Sequence, residues 1–175
     1  MSVSLVMTVL SKDQQGIVEA LSGVIEAHAA NWEESRMASL SGQFAGVLRA
    51  RCPDEEADRL KQALLDLQDQ GLSITIHAGS EADASPNRMT LQIGLTGHDQ
   101  PGIISSVTQA IHAYGANIEE LVSECAGAPL SAGPLFTAQL RLSAAPDTSL
   151  DDLRDDLERV SADLMVDISV ESPES

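Results

Sequence analysis

Two short stretches hold residues whose types and spacing suit the capture of a small charged molecule. Residues 97–104 read GHDQPGII, and residues 11–18 read SKDQQGIV. Each carries a carboxylate, an amide and a glycine just ahead of branched apolar residues. Where such a stretch opens a helix, the first turn presents backbone N–H groups without intrahelical partners and a partial positive charge. A carboxylate or another small anion can settle there. Gly16 and Gly102 lack a side chain, so a ligand can approach the backbone closely; a tight turn or close helix–strand packing is their structural alternative. Asp13 and Asp99 can cap the helix, the commoner use of such a residue, or can accept an ammonium group. Pro101 suits a first helical turn. His98 reads as a solvated loop residue, since Lys12 holds its place in the other stretch.

The two stretches belong to a longer repeat. Shifting the first by 86 residues lays Asp13 on Asp99, Gln14 on Gln100, Gly16 on Gly102 and Ile17 on Ile103. The same shift lays Leu21 on Val107, Ile25 on Ile111, Ala30-Asn31 on Ala116-Asn117 and Glu33-Glu34 on Glu119-Glu120. Fixed-period similarity of this kind marks a duplicated structural unit.

Each copy then reads as the same order of elements. Val3, Leu5, Met7 and Val9 alternate before the first loop, and Met89, Leu91, Ile93 and Leu95 before the second, as in half-buried strands. Helices follow, with Ile17, Leu21, Val24, Ile25 and His28 on one face, and Ile103, Val107, Ala110, Ile111 and Tyr114 on the other copy's face. Gly115 is placed to end the second. Asn31 and Asn117 start the next strands, read as lying beside their loops; an amide there can both donate and accept, and its structural alternative is a turn residue. Hairpins are expected at 31–40 with 43–52, turning at Ser41-Gly42, and at 117–125 with 135–143. Phe44 and Arg49 match Phe136 and Arg141 only at a shift of 92, so the second hairpin carries six extra residues, in CAGAPLSAGP at 125–134, read as a loop. A second helix is predicted at 53–67 and at 147–160, the latter with Ser149 and Asp152 as a capping pair. Closing strands run through Leu72, Ile74 and Ile76, and through Val166, Ile168 and Val170. The order is βαββαβ twice: an α+β chain of two ferredoxin-like units, 1–79 and 88–172, joined by a polar linker at 80–87.

Charge narrows the function. The chain has 27 acidic and 10 basic residues, a net charge of −17. Phosphate contacts require clustered Lys and Arg, so direct nucleic-acid binding and anionic membrane surfaces are disfavoured. No apolar run is long enough to span a bilayer. Cys52 and Cys125 have no metal-type spacing, which fits a reducing, cytoplasmic setting. His28, His77, His98 and His112 form no metal pattern. Neither a Walker nor a dinucleotide motif occurs, and no catalytic group is legible, so no enzyme, cofactor or metal is expected. An acylphosphatase-like site would want an arginine in the first loop, and an RNA-recognition sheet would want aromatics and positive charge; neither is present.

The D-x-x-G-I-[IV] loop, the helix after it and the AN-[IW]-E strand start resemble ACT domains, regulatory modules that commonly bind amino acids. The resemblance covers nearly the whole chain, as two copies. APLSAGPLF at 128–136 resembles one subgroup, the two-ACT proteins related to the glycine cleavage system transcriptional repressor. In that family the ligand usually sits between paired units, against the loop and a neighbouring strand. Carried over by position, this implicates Asp13, Gln14, Gln15, Gly16 and Ile17, then Asp99, Gln100, Pro101, Gly102 and Ile103, with Asn31 and Asn117 nearby. Gln15 and Trp32 depart from the family pattern in the first copy. The resemblance implies a cytoplasmic regulator that takes a small amino acid such as glycine or serine. Such a regulator acts on transcription through a protein partner and self-associates as a homodimer. An ACT-type docking or dimerisation module without a working ligand site is the alternative.

Overall fold

The computed structural model describes residues 1–79, 88–127 and 133–171. In order these form β1 (Ser2–Lys12), α1 (Ile17–Ala27), β2 (Asn31–Leu40), β3 (Gln43–Pro53), α2 (Ala57–Asp66) and β4 (Ser73–Ala78). The second copy gives β5 (Met89–His98), α3 (Ile103–Ala113), β6 (Asn117–Gly127), β7 (Pro134–Ala144), α4 (Leu150–Leu164) and β8 (Val166–Glu171). Two compact units result, Met1–Ala84 and Ser85–Ser175. The linker expected at 80–87 lies outside the described residues.

Each unit is one four-stranded sheet with two helices. The orders are β2-β3-β1-β4 and β6-β7-β5-β8, with every neighbouring pair antiparallel. This is the ferredoxin-like arrangement that the repeat implied. The alternating residues of β1 decide its faces: Leu5, Met7 and Val9 are buried, with Leu48 and Ala50 opposite Met7 and Leu5 on β3. Ile17, Leu21 and Ile25 of α1 and Leu60 and Leu64 of α2 close over them. The second core repeats this with Leu91, Ile93, Leu95, Leu140, Leu142, Ile103, Val107, Ile111, Leu153 and Leu157. Each of these aliphatic side chains contributes roughly 1.5–3 kcal/mol by leaving water.

Local chemistry sets the boundaries. Ser41 and Gly42 both have positive φ (50° and 79°), the geometry of a two-residue hairpin turn that matches strand twist. Ser149 accepts the N–H of Asp152, so the capping pair forms; the helix runs to Leu164, four residues past the expected end, and stops where Met165 turns left-handed. The region read as a loop at 125–134 is shorter than expected. Cys125–Gly127 and Pro134 pair within the hairpin ladder, because small residues still satisfy backbone bonds there. Residues 128–132 of that stretch lie outside the described residues.

Each hairpin also contains a bulge that the spacing did not reveal, between Trp32 and Glu34 and between Ile118 and Glu120. The extra residue places two glutamates against one arginine on the sheet face away from the helices. Arg49 reaches Glu33 (3.4 Å) and Glu34 (3.3 Å), and Arg141 reaches Glu119 (3.8 Å) and Glu120 (3.5 Å).

Candidate functional site

Both loops leave the first strand of their unit and enter its first helix. Gly16 and Gly102 are the N-caps, with φ of 89° and 98°. A side chain is strained at such angles, which is why glycine stands there. A Cβ built on either residue would meet nothing within 4 Å, so the packing alternative for these glycines does not hold: the turn needs them, and the space before them is open. Close packing belongs instead to Gly97, where a Cβ would sit 2.5 Å from Val166 Cγ1.

The first intrahelical bonds are Ala20 N–H to the Gly16 carbonyl (2.8 Å) and Ser106 N–H to the Gly102 carbonyl (2.9 Å). The N–H groups of residues 17–19 and 103–105 thus begin each helix without intrahelical partners. The Ile17 and Ile103 side chains are buried in the core, so only their backbone can face a ligand. Pro101 stands one residue before the N-cap, not in the first turn as expected, because Gly102 takes the turning position. Gln15 and Pro101 are exposed at the loop tips.

The aspartates do not cap the helices. No side chain caps α1 or α3, because each Asp lies three residues before the N-cap glycine and is drawn toward the hairpin. The N–H of Asp13 donates to the Gly42 carbonyl (2.9 Å), and that of Asp99 to the Pro134 carbonyl (3.0 Å). The hydroxyl of Ser39 then donates to Asp13 Oδ2 at 2.5 Å. Cys125 takes the corresponding place in the second unit, opposite Phe136 as Ser39 is opposite Phe44, with its thiol close enough to Asp99 to feel that carboxylate. Desolvation first, and then the neighbouring Asp99 carboxylate, push the Cys125 thiol up.

Gln14 and Gln100 have a shared structural role. The Gln14 amide donates to the Gln70 carbonyl at 3.2 Å, and the Gln100 amide donates to the Leu164 carbonyl. Both acceptors lie at the C-terminal end of the helical segment that precedes the last strand. Each loop is therefore stapled to the hairpin by Asp and to that helical end by Gln.

Asn31 and Asn117 are not beside their own loops. α1 and α3 carry the chain back across the sheet, so β2 and β6 start at the opposite end. Asn31 pairs with Arg51, and Ser39, near the loop, pairs with Phe44. Eight residues of strand separate them, about 26 Å at 3.3 Å per residue. Asn117 lines a shallow cleft of about 420 Å³ with Ile111, His112 and Ile118.

Sequence reasoning missed Ser39 and Cys125. Their signal was available: they stand 86 residues apart, and both can donate a hydrogen bond. Among the described residues, no group of three His, Cys, Asp or Glu side chains is set to hold a metal.

The family of ACT domains matches residues 4–77 and 89–171, one match on each unit. The chain belongs to the ACT-domain family. The fold of the whole chain is also found in solved structures. An unknown protein from Galdieria sulphuraria is 29% identical with a TM-score of 0.85, over 99% of this chain and 100% of that one. A candidate glycine cleavage system transcriptional repressor is 18% identical with a TM-score of 0.69, over 100% of this chain and 99% of its own; at that identity it speaks for the fold. No curated protein matches the sequence. Among the described residues, no helix of this ACT protein is long and apolar enough to cross a membrane.

Proposed function

We propose that this ACT protein is a regulatory protein that binds a small amino acid at its duplicated loops. The observation that carries the reading is that each unit opens a helix on a left-handed glycine with clear space before it, beside an aspartate that is held from behind and does not cap the helix. A ligand carboxylate fits the bare N–H groups of the first turn. The same ligand's ammonium fits the remaining carboxylate oxygen of Asp13 or Asp99. Short zwitterions such as glycine or serine suit the open, side-chain-free approach to the backbone at Gly16 and Gly102.

Asn31 and Asn117 enter the reading only through pairing. A ligand that meets both a loop and an Asn requires two ACT units whose strands run in opposite directions. We assign the second unit to a second copy of the chain, so ligand and self-association favour each other by linkage. Resemblance to the glycine cleavage repressor group supports control of transcription through a protein partner in the cytoplasm. The net charge of −17 argues against contact with DNA itself. No reaction is assigned.

Calorimetry of the whole chain against a panel of amino acids tests this. Binding of one or a few small zwitterions, abolished in Asp99→Ala with Asp13→Ala, is the expected result. Folded protein that binds none of them would leave the docking-module alternative, which the same fold and bulged hairpins serve equally well.

A further inference from the structure

We propose that Ser39 and Cys125 are the positioning residues of the two loops, each giving a side-chain hydrogen bond that fixes the direction of Asp13 or Asp99. The proposal deepens the ligand reading above, but the contact it names exists without ligand. Four observations carry it. First, the two residues hold the same register: Ser39 is opposite Phe44, and Cys125 is opposite Phe136. Second, both lie on the helix-covered face. Met37, two residues before Ser39, packs against the core, as does Phe44, and Phe136 does so in the other unit. Third, the aspartate backbone is pinned to the end of the same hairpin in both units, at the Gly42 and Pro134 carbonyls. With the main chain pinned and the side chain held, the carboxylate keeps one orientation. Fourth, the matched register and the pinned aspartate survive a change in hairpin length. The first hairpin turns at Ser41-Gly42, whereas the second continues its ladder to Gly127 and Pro134.

The exchange of hydroxyl for thiol makes the loops unequal. A hydroxyl donates well to a carboxylate, and a thiol is a weak donor. Asp13 is therefore held more firmly than Asp99. The firmly held carboxylate is the better preorganised one, so the first loop is expected to be the tighter site once its partner groups are equal.

The test uses the full chain and begins without ligand. The rate of alkylation of Cys125 by iodoacetamide is followed against pH, with peptide mass spectrometry separating it from the buried Cys52. In Asp99→Asn the midpoint of that profile should fall toward the ordinary thiol value, with unchanged circular dichroism. A midpoint that stays in place overturns the contact. The second arm is calorimetry with glycine and serine on wild type, Ser39→Ala, Cys125→Ala and Cys125→Ser. Each alanine should weaken one binding event roughly 2- to 10-fold, the loss of one ordinary hydrogen bond. Cys125→Ser should restore or improve affinity at the second loop, which a merely structural role would not require. Equal affinities in all four proteins overturn the positioning role and leave the ligand reading intact. Absence of heat with wild type overturns the ligand reading, while the alkylation profile still decides the contact.

Discussion

Ala29 and Gly115 occupy the same place in the two units, and both are left-handed, with φ of 51° and 66°. Each directly follows the C-cap of its helix. In the first unit the Ala29 N–H donates to the Glu26 carbonyl (3.0 Å) and the Ala30 N–H to the Ile25 carbonyl (3.1 Å), which closes the helix end. Only the second unit has the residue suited to that backbone.

Ala29→Gly should therefore stabilise the first unit. Left-handed backbone costs an alanine about 1–2 kcal/mol. Extra freedom of glycine in the unfolded chain takes back about 0.4–1 kcal/mol. A net gain of about 0.5–1 kcal/mol should raise the denaturant midpoint seen by the fluorescence of Trp32, the only tryptophan. Gly115→Ala should move the second unit the other way, and an unchanged midpoint in both would count against this account of the helix ends.

Gly102 and Gly97 should fail differently when changed to alanine. At Gly102 the cost is backbone strain alone, about 1–2 kcal/mol, since the space in front is open. Gly97→Ala drives a methyl into Val166, including its Cα at 3.0 Å, and must part β5 from β8. Hydrogen exchange of the Val166–Glu171 amides should accelerate in Gly97→Ala and not in Gly102→Ala. Gly102→Ala should instead lower amino-acid affinity, because the added methyl enters the space where the carboxylate would lie.

Acid should weaken the first unit through Glu56. His28 hydrogen-bonds to this carboxylate at 3.2 Å and Arg59 lies 2.7 Å from it, a cluster that joins the end of α1 to the start of α2. The His28 hydrogen bond chiefly, with Arg59, holds the Glu56 carboxyl below its ordinary value of 4.5. A depressed folded value means stability that is present above 4.5 and lost as pH falls through the folded value. Denaturant midpoints from Trp32 fluorescence should fall over that window in wild type, and fall less steeply in Glu56→Gln. Parallel curves for the two proteins would refute the assignment.

Much of this architecture was legible because duplication doubles every signal. Alternation in β1 and β5, helical spacing from Ile17 and Ile103, and the Ser149 cap are local patterns that the fold did not override. What escaped is non-local. Sequence order sets Asn31 next to its loop, just after the helix, whereas α1 carries it to the far end of the sheet. The bulges at Glu33 and Glu119 leave no mark in spacing, because both copies have them and the 86-residue shift is preserved. Asp13 suits a helix cap when only its neighbours along the chain are considered. Ser39, which claims it, lies 26 residues away.

Tyr114 provides the sharpest spectroscopic test, since it is the only tyrosine. It projects from the end of α3 and corresponds to His28 of the first unit. Its hydroxyl donates to Asp156 Oδ2 at 2.5 Å and lies 3.0 Å from the Asp152 carbonyl, which fastens α3 to α4. The hydrogen bond to Asp156, then burial and the charges of Asp156 and Asp152, push the phenol up to about 12. A raised folded value means that the contact's contribution is complete below pH 10 and is lost as pH rises through about 12. Phenolate absorbance near 295 nm should therefore rise late, together with loss of the second unit's helical signal. Asp156→Asn should bring the midpoint back toward 10, because the neutral amide no longer opposes a negative phenolate. A wild-type midpoint near 10 in folded protein would show that the phenol does not hold α3 to α4.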